Sequence, residues 1–352
     1  MPDTVRMLEV ISGKKRGVLA GSTRMVLGML TPAYRLSVWF RNLAFDQGWK
    51  RTEAAGVPVI SIGNMTVGGT GKTPLVIWIA RLLREHGIRV AVLSRGYKAI
   101  EGATNDESLE LQRAIPDVPV LENPDRVASA RVAVEELEMQ ALLLDDGFQH
   151  RRISRDLNIV LIDATNPFGY GRLLPRGLLR EPVGSLARAD IVVITRSNLA
   201  SEQLLDDIRA RIGRWVNEKN AAVSRTVPQH WVRSDGKEFP LEELTGKPVV
   251  AVCGIGNPAG FFSLLEQSGF RPCRQKAFPD HHHFASVDIE GIAALARESS
   301  AVAIVCTVKD LVKLDRNRIG QIPLYALQTG IEFQSGEEML RSRILELVTE
   351  TG

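Results

Sequence analysis

The segment Ser61-Ile-Gly-Asn-Met-Thr-Val-Gly68-Gly69-Thr70-Gly71-Lys72-Thr73 gathers the residue types that hold a polyphosphate. Glycine-rich backbone can turn its N–H groups toward phosphate oxygens, Lys72 can reach the β- and γ-phosphates, and the Thr73 hydroxyl can ligate Mg2+. The strict form of this loop has Gly six residues before the Lys, where this chain has Thr66, yet Gly68, Gly69, Thr70, Gly71, Lys72 and Thr73 keep its core. A glycine turn of purely structural use has no need of Gly-Lys-Thr at a helix start. Nucleoside triphosphate is the expected ligand.

Such a loop works with an acidic partner at the end of a neighbouring strand. Leu142-Leu-Leu-Asp145-Asp146-Gly147-Phe-Gln149-His150-Arg151 supplies two carboxylates behind an apolar run, and either Asp145 or Asp146 can fix the metal. A single Asp there would as readily cap a strand or form a turn. Arg172, Arg176 and Arg180 form a basic loop series whose planar donors suit a phosphate, although Arg176 could equally pair with Glu181. In the run Asp280-His281-His282-His283, adjacent side chains seldom all face one ion, so zinc is the weaker reading. Gly254-x-Gly256 lacks the third glycine of a dinucleotide fingerprint and reads as a close turn.

These residues need a scaffold of alternating strands and helices. Apolar runs at Val57–Ile62, Ile88–Leu93, Leu142–Leu144, Asn158–Ile162 and Ile191–Thr195 predict strands separated by helical or polar stretches, with a helix over Pro74–His86. Further runs at Pro248–Cys253, Ala301–Cys306 and Ile322–Leu327 continue that rhythm. The expected fold is α/β: a P-loop NTPase-like, mostly parallel sheet with a second, smaller α/β lobe and an N-terminal amphipathic helix. The expected boundaries are an N-terminal segment over 1–50, a nucleotide-binding lobe over 51–221, a linker or small β excursion over 222–247, and a cleft-closing lobe over 248–352.

The 352 residues carry 44 Lys plus Arg against 41 Asp plus Glu, a net charge of +3 that argues against a protein coating nucleic acid. Three cysteines without paired spacing indicate neither a disulfide framework nor a thiolate zinc site. Residues 1–50 alone hold eight basic and three acidic side chains. Met29, Ala33, Leu36, Phe40 and Leu43 give that segment an apolar helical face, interrupted by Arg24, Arg35 and Arg41, with Trp39 and Trp49 nearby. Its longest uncharged stretch, Met25 to Tyr34, is too short to span a bilayer. The pattern fits a helix lying on anionic lipid or one packed on the core of the enzyme.

Three of the motifs together, Gly63–Pro74, Ser94-Arg-Gly-Tyr97 and Asp145–His150, resemble those of the tetraacyldisaccharide 4′-kinase family. The resemblance continues through Leu174–Pro182, Gly254–Pro258, Asp280–His282 and Lys309-Asp310, covering nearly the whole chain. It implies transfer of the ATP γ-phosphate, with Mg2+, to the 4′-hydroxyl of an acylated glucosamine disaccharide 1-phosphate. It further implies a peripheral or monotopic enzyme on the cytoplasmic face of a Gram-negative inner membrane, attached through its N-terminal helix, with no nucleic acid and no obligate protein partner. The family's proposed base carries onto Asp106, although the Gly and Pro that flank it in the family are absent here, and its partner carries onto His281. Lys72 joins them as a catalytic residue, and the arginine series would meet the substrate's 1-phosphate or the transferring phosphoryl group. The alternative is a P-loop ATPase or GTPase acting as a switch or metallochaperone, which would hydrolyse nucleotide without a glycolipid.

Overall fold

The computed structural model describes residues 3–96, 106–280 and 282–349, with the side chains of residues 3–6, 106 and 107 outside that description. Helices α1 (Asp3–Ser12) and α2 (Val18–Asp46) open the chain. Strand β1 (Val59–Asn64) leads into α3 (Lys72–Glu85), then β2 (Val90–Ser94), α4 (Asp106–Ala114), β3 (Val120–Glu122), α5 (Arg126–Arg131), β4 (Ala141–Asp145), β5 (Leu157–Asp163) and β6 (Ile191–Thr195). After α6 (Glu202–Ile212) comes the long β7 (Ala221–Val232), whose end pairs antiparallel with β8 (Glu238–Phe239). The remainder is β9 (Val249–Cys253), α7 (Pro258–Gln267), β10 (Arg274–Ala277), α8 (Ser286–Glu298), β11 (Ala303–Thr307), α9 (Val308–Leu314), β12 (Arg318–Ile319), β13 (Ile322–Ser335) and α10 (Glu337–Thr349).

The chain divides into two compact units, one of residues 1–98, 115–225 and 333–352, the other of 99–114 and 226–332. In the first, parallel strands run in the order β7-β6-β5-β1-β4-β2-β3. Every residue of β1, β2, β4, β5 and β6 is buried, as expected of a parallel sheet covered on both faces. One face packs around Val59, Leu93, Val127 and Leu144, the other around Met65, Phe148, Val160 and Ile194. In the second unit the parallel order is β10-β9-β11-β13.

Each apolar run read from the sequence overlaps a strand, and the helix expected from Pro74 begins two residues earlier, at Lys72. Two differences stand out. Residues 222–247, expected to be a linker or small β excursion, are largely the strand β7 and its hairpin with β8. The chain also returns to the first unit at residue 333, so 248–352 does not form one lobe. Phe333 packs edge-on to Trp78, Gln334 accepts a 2.6 Å hydrogen bond from Ser197, and Gly336 passes so close that a Cβ there would lie 2.8 Å from Ala222. The N-terminal helix α2 runs through Pro32 from residue 18 to 46.

On α2, Val18, Met25, Met29, Leu36 and Phe40 recur at intervals of seven and four, and each is exposed. Ala20 and Val38 are buried on the opposite side, where Tyr34 packs against the core of the first unit. Among the described residues, no helix is long and apolar enough to cross a membrane.

Candidate active site

The loop after β1 turns on Gly68 (φ 117°) and Gly71 (φ 84°), left-handed values that a side chain resists. Gly71 caps α3, so Lys72 and Thr73 open the helix and its unpaired N–H groups face the loop. Thr195 at the end of β6 donates its hydroxyl to the Thr70 carbonyl at 2.8 Å and holds the loop in place. The Thr70 hydroxyl oxygen is buried with no hydrogen-bond partner among the described residues.

Strand β4 lies beside β1 with Asp145 opposite Ile62, which carries both carboxylates to the loop. Asp145 is buried and accepts the backbone N–H of Asp146 at 2.9 Å. The Asp146 carboxylate meets Lys72 Nζ at 3.4 Å and Arg180 Nη1 at 2.9 and 2.7 Å. Burial pushes that carboxyl up, but Lys72, Arg180 and Arg126 outweigh it and hold the group far below the usual carboxylate range.

A second layer fixes these groups. Lys72 also donates to Asn64 Oδ1 at 3.4 Å, and the Asn64 amide donates to the Thr66 carbonyl at 2.8 Å. Gln149 donates to the Asn64 carbonyl at 3.0 Å and accepts from Arg180 at 3.3 Å. Arg126, almost fully buried, donates to the Asp146 carbonyl at 3.3 Å. Two glycines permit this closeness: a Cβ on Gly63 would lie 2.5 Å from the Phe148 nitrogen, and one on Gly147 2.5 Å from Ser61 Oγ. Burial, with Arg126, Arg152 and Arg155 nearby, pushes the His150 imidazole down to about 4 and keeps it neutral near pH 7.

Of the residues expected from sequence, the structure gathers Gly68, Gly69, Thr70, Gly71, Lys72, Thr73, Asp145, Asp146 and Arg180. It does not gather the other two arginines. Gly177 N–H donates to the Leu173 carbonyl and Leu179 N–H to that of Arg172, folding the loop so that Arg176 donates to the Ile11 carbonyl at 2.9 Å while Arg172 is exposed. Asp106 opens α4, but its side chain lies outside the described residues, as does His281. Asn64 and Gln149 sat inside recognised motifs without a role assigned. Arg126 had no sequence signal beyond following Asp125, which caps α5.

In the second unit, Asp310 is fully buried and both its carboxylate oxygens accept the Gly254 N–H at 3.0 Å, with the Thr307 hydroxyl donating at 2.6 Å. The Gly254 turn packs on His282 and the Pro279 carbonyl. His282 stacks on Phe278 and pairs with Asp288 at 2.9 Å. Those contacts hold the backbone on the C-terminal side of residue 281.

The family model described as tetraacyldisaccharide-1-P 4′-kinase matches residues 23–349. The tetraacyldisaccharide 4′-kinase of Anaeromyxobacter dehalogenans (strain 2CP-C) is 39% identical over 329 residues, covering 88% of this chain and 86% of that one. Its namesake from Halothermothrix orenii is 34% identical over 360 residues, covering 93% of each. Among solved structures, the "apo" form of LpxK from Aquifex aeolicus in complex with ATP matches with a TM-score of 0.73 at 30% identity, covering 93% of this chain and 99% of that one.

Proposed function

The chain belongs to the tetraacyldisaccharide-1-P 4′-kinase family, and from that membership we propose which of its residues carry the reaction. It is an ATP-dependent kinase acting on the 4′-hydroxyl of tetraacyldisaccharide 1-phosphate, and use of ATP with Mg2+ is typical of its family. The observation that carries the assignment is the convergence of Lys72 and Arg180 on Asp146 at the ends of two adjacent parallel strands. Ligands of open parallel sheets bind at that edge.

The backbone N–H groups of Gly68–Gly71 and the Lys72 ammonium cradle the β- and γ-phosphates. Thr73, Asp145 and Asp146 are hard oxygen donors of the kind Mg2+ takes, and the ion when bound neutralises charge on the phosphates. Arg180 offsets charge that develops on the transferred phosphoryl group. Asp106 accepts the 4′-hydroxyl proton as the γ-phosphorus bonds to that oxygen and ADP leaves, with His281 orienting Asp106; both roles rest on the resemblance to the family. A carboxylate of ordinary acidity is a weak base for an alcohol, so the proton transfers late, once the new P–O bond has formed in part. Arg172 is the candidate for the substrate's 1-phosphate, because Arg176 and Arg180 are engaged elsewhere.

The acceptor carries acyl chains, and α2 supplies the matching surface. Its exposed apolar face lies against lipid while Lys14, Lys15 and Arg16, all exposed just before it, meet anionic headgroups. The enzyme then works peripherally on the cytoplasmic face of the inner membrane.

The test is transfer of labelled γ-phosphate from MgATP to tetraacyldisaccharide 1-phosphate in detergent micelles, comparing the intact chain with Asp106→Ala. Loss of labelled product in the variant supports Asp106 as base. Undiminished transfer removes that role, and ATP hydrolysis indifferent to the acceptor favours a switch or ATPase.

A further inference from the structure

The face of α2 turned away from the proposed lipid surface is built into the nucleotide site. Tyr34 donates its hydroxyl to the Arg180 carbonyl at 2.9 Å, and the backbone N–H of Arg180 donates to the Met65 carbonyl at 2.7 Å. One residue on, the fully buried Glu181 carboxylate accepts from Arg41 at 2.6 Å and Asn42 at 3.2 Å on α2, and from Arg188 at 2.6 Å. A third tie reaches the other side of the site: Arg151, at the end of the Asp145–Arg151 segment, donates to the Asn42 carbonyl at 3.1 Å and to Asp46 at 2.7 Å, and lies over the Phe45 ring.

The helix therefore holds the two segments that carry the Arg180–Asp146 pair, residues 180 and 181 through Tyr34, Arg41 and Asn42, and the end of the segment that follows Asp146 through Arg151. The same turns of α2 present the exposed Leu36, Trp39 and Phe40 on their outer side. A carboxylate buried as deeply as Glu181 tolerates little change in its partners, since losing one leaves charge poorly compensated in a dry setting. A shift of α2 is thus transmitted to residues 180 and 181 instead of being absorbed by solvent.

We propose that Arg41 and Tyr34 are positioning residues that seat Arg180 on Asp146, making the lipid-docking helix a working part of the phosphoryl-transfer site. This rests on the reading of Lys72, Asp146 and Arg180 as that site. It adds that the helix acts on turnover and not only on encounter with the acceptor.

The test uses the full chain with tetraacyldisaccharide 1-phosphate in vesicles of zwitterionic and anionic phospholipid, measuring kcat, KM for each substrate, vesicle co-sedimentation and melting temperature. Arg41→Gln should lower kcat by about tenfold or more with a much smaller change in KM for the acceptor. Arg41→Lys should recover part of the loss, since an ammonium can still pair with one Glu181 oxygen. Arg35→Gln removes the same charge from the exposed side of the same helix and measures what charge loss alone does to membrane binding. Positioning requires kcat to fall at least about fivefold further in Arg41→Gln than in Arg35→Gln. Equal losses in the two variants, or an Arg41→Gln defect confined to co-sedimentation and acceptor KM, would overturn the proposal. Tyr34→Phe, which removes a single hydroxyl, guards against a folding artefact: kcat should fall about two- to fivefold at an unchanged melting temperature, and wild-type turnover would count against the idea. Absence of transfer by the unaltered chain would instead sink the kinase-site reading on which the proposal stands.

Discussion

Replacing Gly63 by alanine places a methyl carbon 2.5 Å from the Phe148 nitrogen and 2.6 Å from the Phe148 Cβ. Ordinary van der Waals contact begins at 3.4 Å, so the two segments must separate by about 0.9 Å. Neither side yields easily, because the obstacle is the backbone of the turn that follows Asp145 and Asp146, and Phe148 is itself fully buried. The loop and the carboxylate pair are thereby moved apart by nearly the distance at which misplacement costs about a hundredfold in rate. Overpacking of this kind also costs about 1–3 kcal/mol of stability. Steady-state transfer at saturating MgATP and acceptor should show kcat down by about two orders of magnitude, while thermal melting shows a destabilised but folded chain. Gly21→Ala serves as a control for losing a glycine as such, since nothing lies within 4 Å of its Cβ position on α2. Turnover within about threefold of wild type in Gly63→Ala would refute the idea that close packing of these two segments sets the geometry of the site.

Asp146→Asn keeps the shape but removes the anion facing Lys72 and Arg180; kcat should fall about a hundredfold or more, and titrating Mg2+ upward should not restore it. The depressed His150 pKa has a signed consequence. The unfolded chain takes up the proton near 6.5 and the folded chain only near 4, so stability is full above that window and falls as pH drops through it. Urea unfolding at pH 7.0 and 4.5 checks this, and His150→Gln should flatten the difference. Replacing Trp39 and Phe40, each about half exposed, by glutamate should weaken co-sedimentation with anionic vesicles by about tenfold or more at little change in melting temperature.

The parallel core was legible because its strands are continuous apolar runs, and such runs in alternation with helices leave few other arrangements. The phosphate loop and the Asp145–His150 segment were legible because their chemistry is local: a few adjacent residues fix both the turn and the ligand. What stayed hidden depended on distance along the chain. The twelve-residue β7 contains Pro228 and polar side chains and is buried only at Ala222–Ser224 and Trp231, so its sequence read as a linker or small β excursion. Arg172, Arg176 and Arg180 read as one basic loop series, but the loop folds back on itself and sends Arg176 to the Ile11 carbonyl while Arg180 reaches Asp146. Glu181 was read as a possible partner of Arg176, but it is held instead by Arg188 and by Arg41, 140 residues earlier. Arg126 holds the Asp146 carbonyl twenty residues away, a role that leaves no periodic or motif signature, and Lys309-Asp310 matched a family motif without revealing that Asp310 holds the Gly254 N–H.

The most direct test of the central assignment is a single-turnover reaction with enzyme in excess over MgATP and tetraacyldisaccharide 1-phosphate, followed by phosphorus NMR of the glycolipid. A new phosphomonoester on the 4′ oxygen, formed in step with loss of ATP and abolished by Lys72→Ala, is the predicted result. Loss of ATP to inorganic phosphate at the same rate with or without the glycolipid, and no second phosphate on the sugar, would contradict it.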